Sequence, residues 1–231
     1  MKLSDKTILL LKNFSTINQS ILFTAGNKLR TISVMKNILA EANIEEEIPK
    51  DFGVYDLSQF LNSLALFHEP ELNFENDGYV IIKEGKMRSK YVFAEPTTIV
   101  TPPEKPITLP SEDVTFDLSV QQLDKLLKAA SVYQLPDLAV IGDSNGVKIL
   151  VHDKKNDNSN SFSITVGETS DIFSFNFKVE NIKVPSDGAS IKGGLPQDYE
   201  VVVSQKLLSR FRSKDGTLTY FIALEPDSTF G

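Results

Sequence analysis

The sequence predicts an α+β protein of two similar domains, each with a mostly antiparallel β-sheet and two helices. Three observations carry that expectation. The first is a proline cluster near the midpoint: of eleven prolines, five fall in "EPTTIVTPPEKPITLPSED", residues 95–113, at 96, 102, 103, 106 and 110. Proline lacks a ladder donor and drives its predecessor toward extended backbone, so this stretch reads as a stiff connector. The second is a duplicated layout. "LLKNFSTI" at 10–17 matches "LLKAASVY" at 126–133, with Lys12 and Lys128 in equivalent places, and "YVFAEP" at 91–96 answers "YFIALEP" at 220–226. The third is the β-rich character of everything between those markers. The expected organisation is one domain over 1–96, a connector over 97–113 and a second domain over 114–231, both of ordinary domain size.

Each half opens on a helix. In the first, Lys12 shares its face with Asp5 and Leu9, so that face is mixed in character. The runs "ILFTA", "KLRTISV" and "YVIIK" are rich in β-branched and aromatic residues and are punctuated by "AGN" and "NDG", which are hairpin signals. Between them Asp56 begins a second helix, "DLSQFLNSLALF", with Leu57, Phe60, Leu61 and Leu64 on one face. In the second half "SVQQLDKLLKAASVY", residues 119–133, puts Leu123, Leu126, Leu127 and Ala130 on one face and Gln121, Lys125 and Lys128 on the other. The strands "LAVIG", "VKILVH", "FSITVG" and "YEVVVS" follow, with "GDSNG" at 142–146 as a β-turn whose Asp, Asn and Gly tolerate positive φ. The counterpart of the second helix is expected in "VENIKVP", residues 179–185, closed by Pro185.

Composition narrows the function classes. The chain has 231 residues, 41% of them hydrophobic, which suits a packed core and not disorder. Its apolar start is interrupted by Asp5 and Lys12, making a poor signal peptide, and no run reaches membrane-spanning length. With no cysteine there is no disulfide framework or thiolate chemistry, so an intracellular protein is expected. The net charge of −7, from 24 basic and 31 acidic residues, argues against a generally adhesive nucleic-acid binder. Charge is nonetheless segregated: carboxylates crowd "EANIEEEIPKD" at 41–51, while the 119–133 helix keeps only Asp124 near its positive face. His68 and His152 lack a catalytic or metal-ligating partner at recognisable spacing, and no phosphate-loop motif is present. No catalytic residue, metal or cofactor is expected.

The segments "MKLS", "LLKNFSTIN", "AEANI", "VYDLSQFL", "FNF" and "ALEPDST", in that order along the whole chain, resemble the DNA polymerase sliding clamp of T-even-type phages, distantly similar in fold to proliferating-cell nuclear antigen. The resemblance implies a DNA clamp fold, a two-domain subunit that closes head to tail with two others into a homotrimeric ring. It implies a non-enzymatic processivity factor that encircles duplex DNA without reading sequence and tethers the replicative DNA polymerase. It implies loading by an ATP-dependent clamp loader, support of late-transcription factors, and a location in the cytoplasm of the infected host cell. On this reading Lys12, Gln121, Lys125, Lys128, Lys178 and Lys183 face DNA. Ile99, Val100, Ile107, Leu109, Leu224 and Pro226 receive partner peptides, and the edges bearing Tyr91 and Phe93, and Phe162 and Ile164, join subunits. Two alternatives stand beside it: the lysine stripe as an ordinary solvated helix face, and the whole chain as a β-rich viral structural or interaction module without DNA binding.

Overall fold

The computed structural model describes residues 1–186, 194–195 and 198–231. The chain divides into two compact units, one built on Met1–Glu104 and the other on Lys105–Lys192 and Pro196–Gly231.

In the first unit α1 spans Asp5–Ser15 and starts at Ser4, whose hydroxyl accepts from the Thr7 N–H at 3.3 Å. Asp5 in its first turn and Lys12 in its last both complement the helix dipole. The buried face is Leu10, Leu11 and Phe14. The strands β1 (Ile21–Phe23), β2 (Gly26–Ile32), β3 (Ile38–Ile48) and β4 (Phe52–Val54) follow, with β1 antiparallel to β4 and β2 forming a hairpin with β3. Helix α2, Leu57–Leu64, is capped by Asp56, which accepts from the Gln59 N–H at 2.8 Å, and buries Leu57, Phe60, Leu61 and Leu64. It packs beside α1. The unit closes with β5 (Glu71–Asn73), β6 (Tyr79–Glu84) and β7 (Met87–Val92), an antiparallel sheet with β7 on its edge. Phe60 of α2 meets Phe23 edge to face at 6.2 Å and Tyr91 edge to face at 5.1 Å, so aromatic packing ties the helix to both β layers.

Glu46 on β3 fixes the start of α1. Its carboxylate accepts from the Ser4 N–H and from the Thr7 hydroxyl at 2.7 Å. Partial burial pushes its pKa up, but these hydrogen bonds outweigh burial and hold it below the ordinary glutamate value of 4.5. A carboxyl depressed in the folded state contributes stability above its unfolded value, and that contribution is lost as pH falls through the folded one. Glu46→Ala is therefore expected to cost about 1 kcal/mol near neutral pH, as for a lost helix cap. Thermal melts of parent and variant should converge as pH falls through the folded-state titration of Glu46, below the ordinary glutamate value. A constant offset across that range would deny Glu46 this role.

In the second unit β8 (Val114–Ser119) runs directly into α3 (Val120–Tyr133). Ser119 and Gln122 form a capping box, with the Gln122 N–H donating to Ser119 Oγ at 3.2 Å and the Ser119 N–H to Gln122 Oε1 at 2.9 Å. Gln134 ends the helix in the left-handed region, at φ 55°. Strands β9 (Asp137–Asp143), β10 (Gly146–His152), β11 (Phe162–Gly167), β12 (Phe173–Lys178), β13 (Asp198–Ser204), β14 (Leu208–Ser213), β15 (Leu218–Ala223) and β16 (Thr229–Phe230) complete it. One antiparallel sheet has the order β11-β10-β9-β12-β16, with β11 on its edge, and within this unit β15-β14-β13-β8 are paired in the other. Phe116, Leu123, Leu126, Val140, Ile149 and Phe211 meet at its core. "GDSNG" is the tip of the β9–β10 hairpin: Asp143 pairs with Gly146, and Asp143 Oδ1 accepts from the Asn145 N–H at 2.7 Å.

The segment 179–185 departs from the expected helix. Val179–Asn181 forms a single 3₁₀ turn, so among the described residues this unit has one α-helix. The Val179 N–H donates to Pro136 O at 2.9 Å and so continues the pairing of β12, while Pro185 and the β-branched Val179 and Val184 work against propagation. Residues 187–193 lie outside the described residues.

Candidate nucleic-acid interface and docking edges

The outward stripe of α3 is formed by Gln121, Lys125 and Lys128, all exposed, and Val132 extends it at 74% exposure. Helical periodicity places them opposite Val120, Leu123, Leu126 and Ala130, which are buried. Among the described residues Lys125 makes no ion pair, whereas Lys128 Nζ lies 2.7 Å from Asp124 Oδ2, one turn back on the same helix. In the first unit Lys12 is exposed on α1, likewise without an ion pair, and the neighbouring α2 offers the exposed neutral groups Ser58, Gln59 and Asn62.

Lys178 and Lys183 do not join this stripe as free charges. Lys178, at the end of β12, places Nζ 2.5 Å from Oδ1 of Asp137, which is 2% exposed. The hydrogen bond to Asp137 outweighs partial burial and holds the ammonium above its ordinary pKa. This is a cross-strand structural ion pair. Lys183 is half-buried just beyond the 3₁₀ turn, its N–H donating to Asn181 O at 3.0 Å. The sequence carries no local sign of either arrangement, since Asp137 lies 41 residues from Lys178.

The edge strands hold the candidate interface residues. Tyr91 is half-buried, and its hydroxyl donates to Asp56 O at 3.2 Å. Phe93, just beyond β7, packs against Phe52 at 4.9 Å. On β11, half-buried Phe162 and Ile164 alternate with exposed Ser163 and Thr165. An open cleft of about 470 Å³ lies between α2 and β7, lined by Tyr55, Gln59, Tyr91, Val92 and Phe93 among others. Tyr55 and Val92, 64% and 63% exposed, are missed by the sequence reading, because period-two alternation marks a face and not a free edge.

The connector residues divide by burial. Ile99 is buried, with its side chain against the backbone of Gly53, and Leu224 is buried with its N–H donating to Leu207 O at 3.0 Å. Both act as core anchors. Val100 and Pro226 are exposed, and Ile107 and Leu109 are half-buried. In the first unit, Asn18 Nδ2 donates to Ile32 O at 2.8 Å and to Val100 O at 3.5 Å, tying Val100 to the end of β2. The turn that follows β2 exposes Val34 and Met35, an apolar pair beside a positive-φ Lys36. Two adjacent apolar residues in a turn are the sequence signal for this accessible apolar pair.

His68 is exposed, while His152 is half-buried with Nε2 making no hydrogen bond. Among the described residues no group of three or more His, Asp or Glu side chains could hold a metal, and no helix is long and apolar enough to cross a membrane.

A family model for the DNA polymerase processivity factor matches residues 2–101. The sliding clamp of Vibrio phage KVP40 is 32% identical over 233 residues, covering 97% of this chain and 99% of the relative. The sliding clamp of Enterobacteria phage T4 is 30% identical over 236 residues, covering 99% of each. In fold the chain is similar to A. fulgidus PCNA, in a structure with the C-terminal region of FEN-1 bound, at a TM-score of 0.69 and 17% identity over 98% of both chains. Identity of this level, sustained from end to end on an α+β architecture shared with PCNA, places the chain in one family: it belongs to the phage sliding clamps, the DNA polymerase processivity factors.

Proposed function

We propose that three copies close head to tail into a ring, β7 of one pairing with β11 of the next, and that duplex DNA passes through it facing Lys12, Gln121, Lys125 and Lys128. The observation that carries this reading is the α3 stripe: an acidic chain keeps an exposed lysine-bearing face on which Lys125 has no ion-pair partner among the described residues. Lysines without a bidentate fork make loose phosphate contacts that position without reading bases. Topology and these loose contacts together then retain the ring, which needs no chemistry of its own. An ATP-dependent loader opens it inside the infected cell. Ring closure through two different edges is a heterologous interface whose rotation closes, and it satisfies backbone groups that would otherwise invite aggregation.

Client proteins dock by short apolar segments on the connector, whose Val100 is exposed and whose Ile107 and Leu109 are half-buried; Val34 and Met35 of the first unit, and Pro226 of the second, are further exposed apolar groups such a segment can use. The FEN-1 C-terminal region on A. fulgidus PCNA is a precedent for such docking on this fold. The polymerase uses this route, and late-transcription factors share it.

The test is retention on circular duplex across a salt series, alongside solution mass. Log affinity falls with log salt by about 0.9 per duplex phosphate neutralised. Lys12→Ala with Lys125→Ala is expected to keep three times the 25.7 kDa chain mass while shortening retention several-fold and flattening the slope. An identical slope and lifetime would return both lysines to an ordinary solvated surface. A parent that stays monomeric would instead favour a structural module that binds no DNA.

A further inference from the structure

We infer that Asp124 is a tuning residue that holds Lys128 back from DNA phosphate and keeps the sliding contact weak. This rests on the DNA-facing reading of α3. Asp124 lies one turn before Lys128, the favourable acid-then-base order on a helix, and its Oδ2 is 2.7 Å from Lys128 Nζ. The two side chains differ in freedom: that of Asp124 is 26% exposed, on the flank beside buried Leu123, whereas that of Lys128 is 74% exposed. The carboxylate is thus the fixed partner and the ammonium the mobile one. Lys125, on the same stripe, has no such partner among the described residues, so the two lysines meet a phosphate on unequal terms.

Helix stability does not explain the pair. A capping box, a left-handed C-cap and four buried side chains already hold α3 in place. A solvated ion pair between residues four apart adds little to that. A phosphate approaching Lys128 must either displace the carboxylate or share the ammonium with it, and it also meets the carboxylate's own negative charge. The cost of displacing a pair of this kind weakens the contact by about twofold per subunit. Repeated around a ring, that keeps the contribution of the contacts to retention low and leaves the rest to topology.

The experiment uses the full chain loaded on nicked circular duplex by its cognate loader, with retention measured against salt. Asp124→Asn preserves size and removes the charge, and Asp124→Ser guards against an effect peculiar to the amide. Both should keep the parent's mass and melting temperature. Each should lengthen retention by about two- to threefold per subunit and steepen the salt slope by up to about 0.9 per subunit. Adding Lys128→Ala to Asp124→Asn should erase the gain, which a merely structural role for Asp124 would not predict. Lys125→Ala is run in parallel. If it flattens the slope while Asp124→Asn leaves retention unchanged, or if the gain persists without Lys128, the tuning role is overturned and the DNA-facing reading stands. If Lys125→Ala and Asp124→Asn both leave slope and lifetime unchanged, the DNA-facing reading itself falls.

Discussion

Phe162→Glu on β11, or Phe93→Glu beside β7, is expected to convert the proposed assembly of three chains into free 25.7 kDa subunits, and to abolish processive synthesis with it. Both side chains are half-buried in the isolated chain, so each has apolar surface left to bury against a neighbour. Aromatic anchors of this kind are worth about 2–4 kcal/mol when truncated at an interface, and a carboxylate in their place adds desolvation. The loss is repeated at every interface of a ring. Light scattering over a concentration series measures it directly, with circular dichroism checking that the strands remain. A trimer that survives both substitutions would move the interface away from these edges.

Gly146→Ala is expected to lower the melting temperature by about 6–12 °C, corresponding to roughly 3 kcal/mol in a chain of this size. Gly146 sits at φ +105°, outside even the left-handed region that Asn or Asp can occupy, so any Cβ there is strained. The same Cβ would overlap the carbonyl oxygen of Gly167, a backbone atom that cannot swing aside. Gly167 pairs with Val147 across a register shift, so the clash falls at the end of β11, on the proposed docking edge. Destabilisation should therefore be accompanied by a weaker assembly at temperatures where the monomer is still folded. A melting point within about 1 °C of the parent would mean that the hairpin and β11 separate without cost.

Local chemistry was legible in the sequence. Ser119 with Gln122 announces a helix start, Asp56 does the same for α2, and Asp143 to Gly146 announces a hairpin, because caps and tight turns are decided within four residues. The apolar faces of α2 and α3 followed from period alone, although Leu127 is only half-buried. What a side chain meets across the sheet did not. Lys178 reads as a surface cation until β12 is laid beside β9, which sets it on Asp137, and Ile99 reads as a pocket residue until its chain is placed against Gly53. The stretch 179–185 misled for a related reason: its apolar spacing fits a helix turn, but Val179 is still tied to Pro136. Asp124 was visible as the only carboxylate near the stripe, yet only the geometry joins it to Lys128.

The edge strands β7 and β11 differ in sequence and neighbours, so in the proposed ring a subunit has a donor side and an acceptor side. Damage to one side leaves the other competent. In a cell making both kinds of subunit, a copy with a spoiled β11 still caps the intact β11 of a normal one through its own β7, and the growing chain stops there. Only triples drawn wholly from normal copies close, so the yield of rings follows the cube of their fraction. A lesion at one edge should therefore act dominantly in mixed infection. A lesion that prevents folding of the whole chain should stay recessive, because it removes subunits without poisoning the rest.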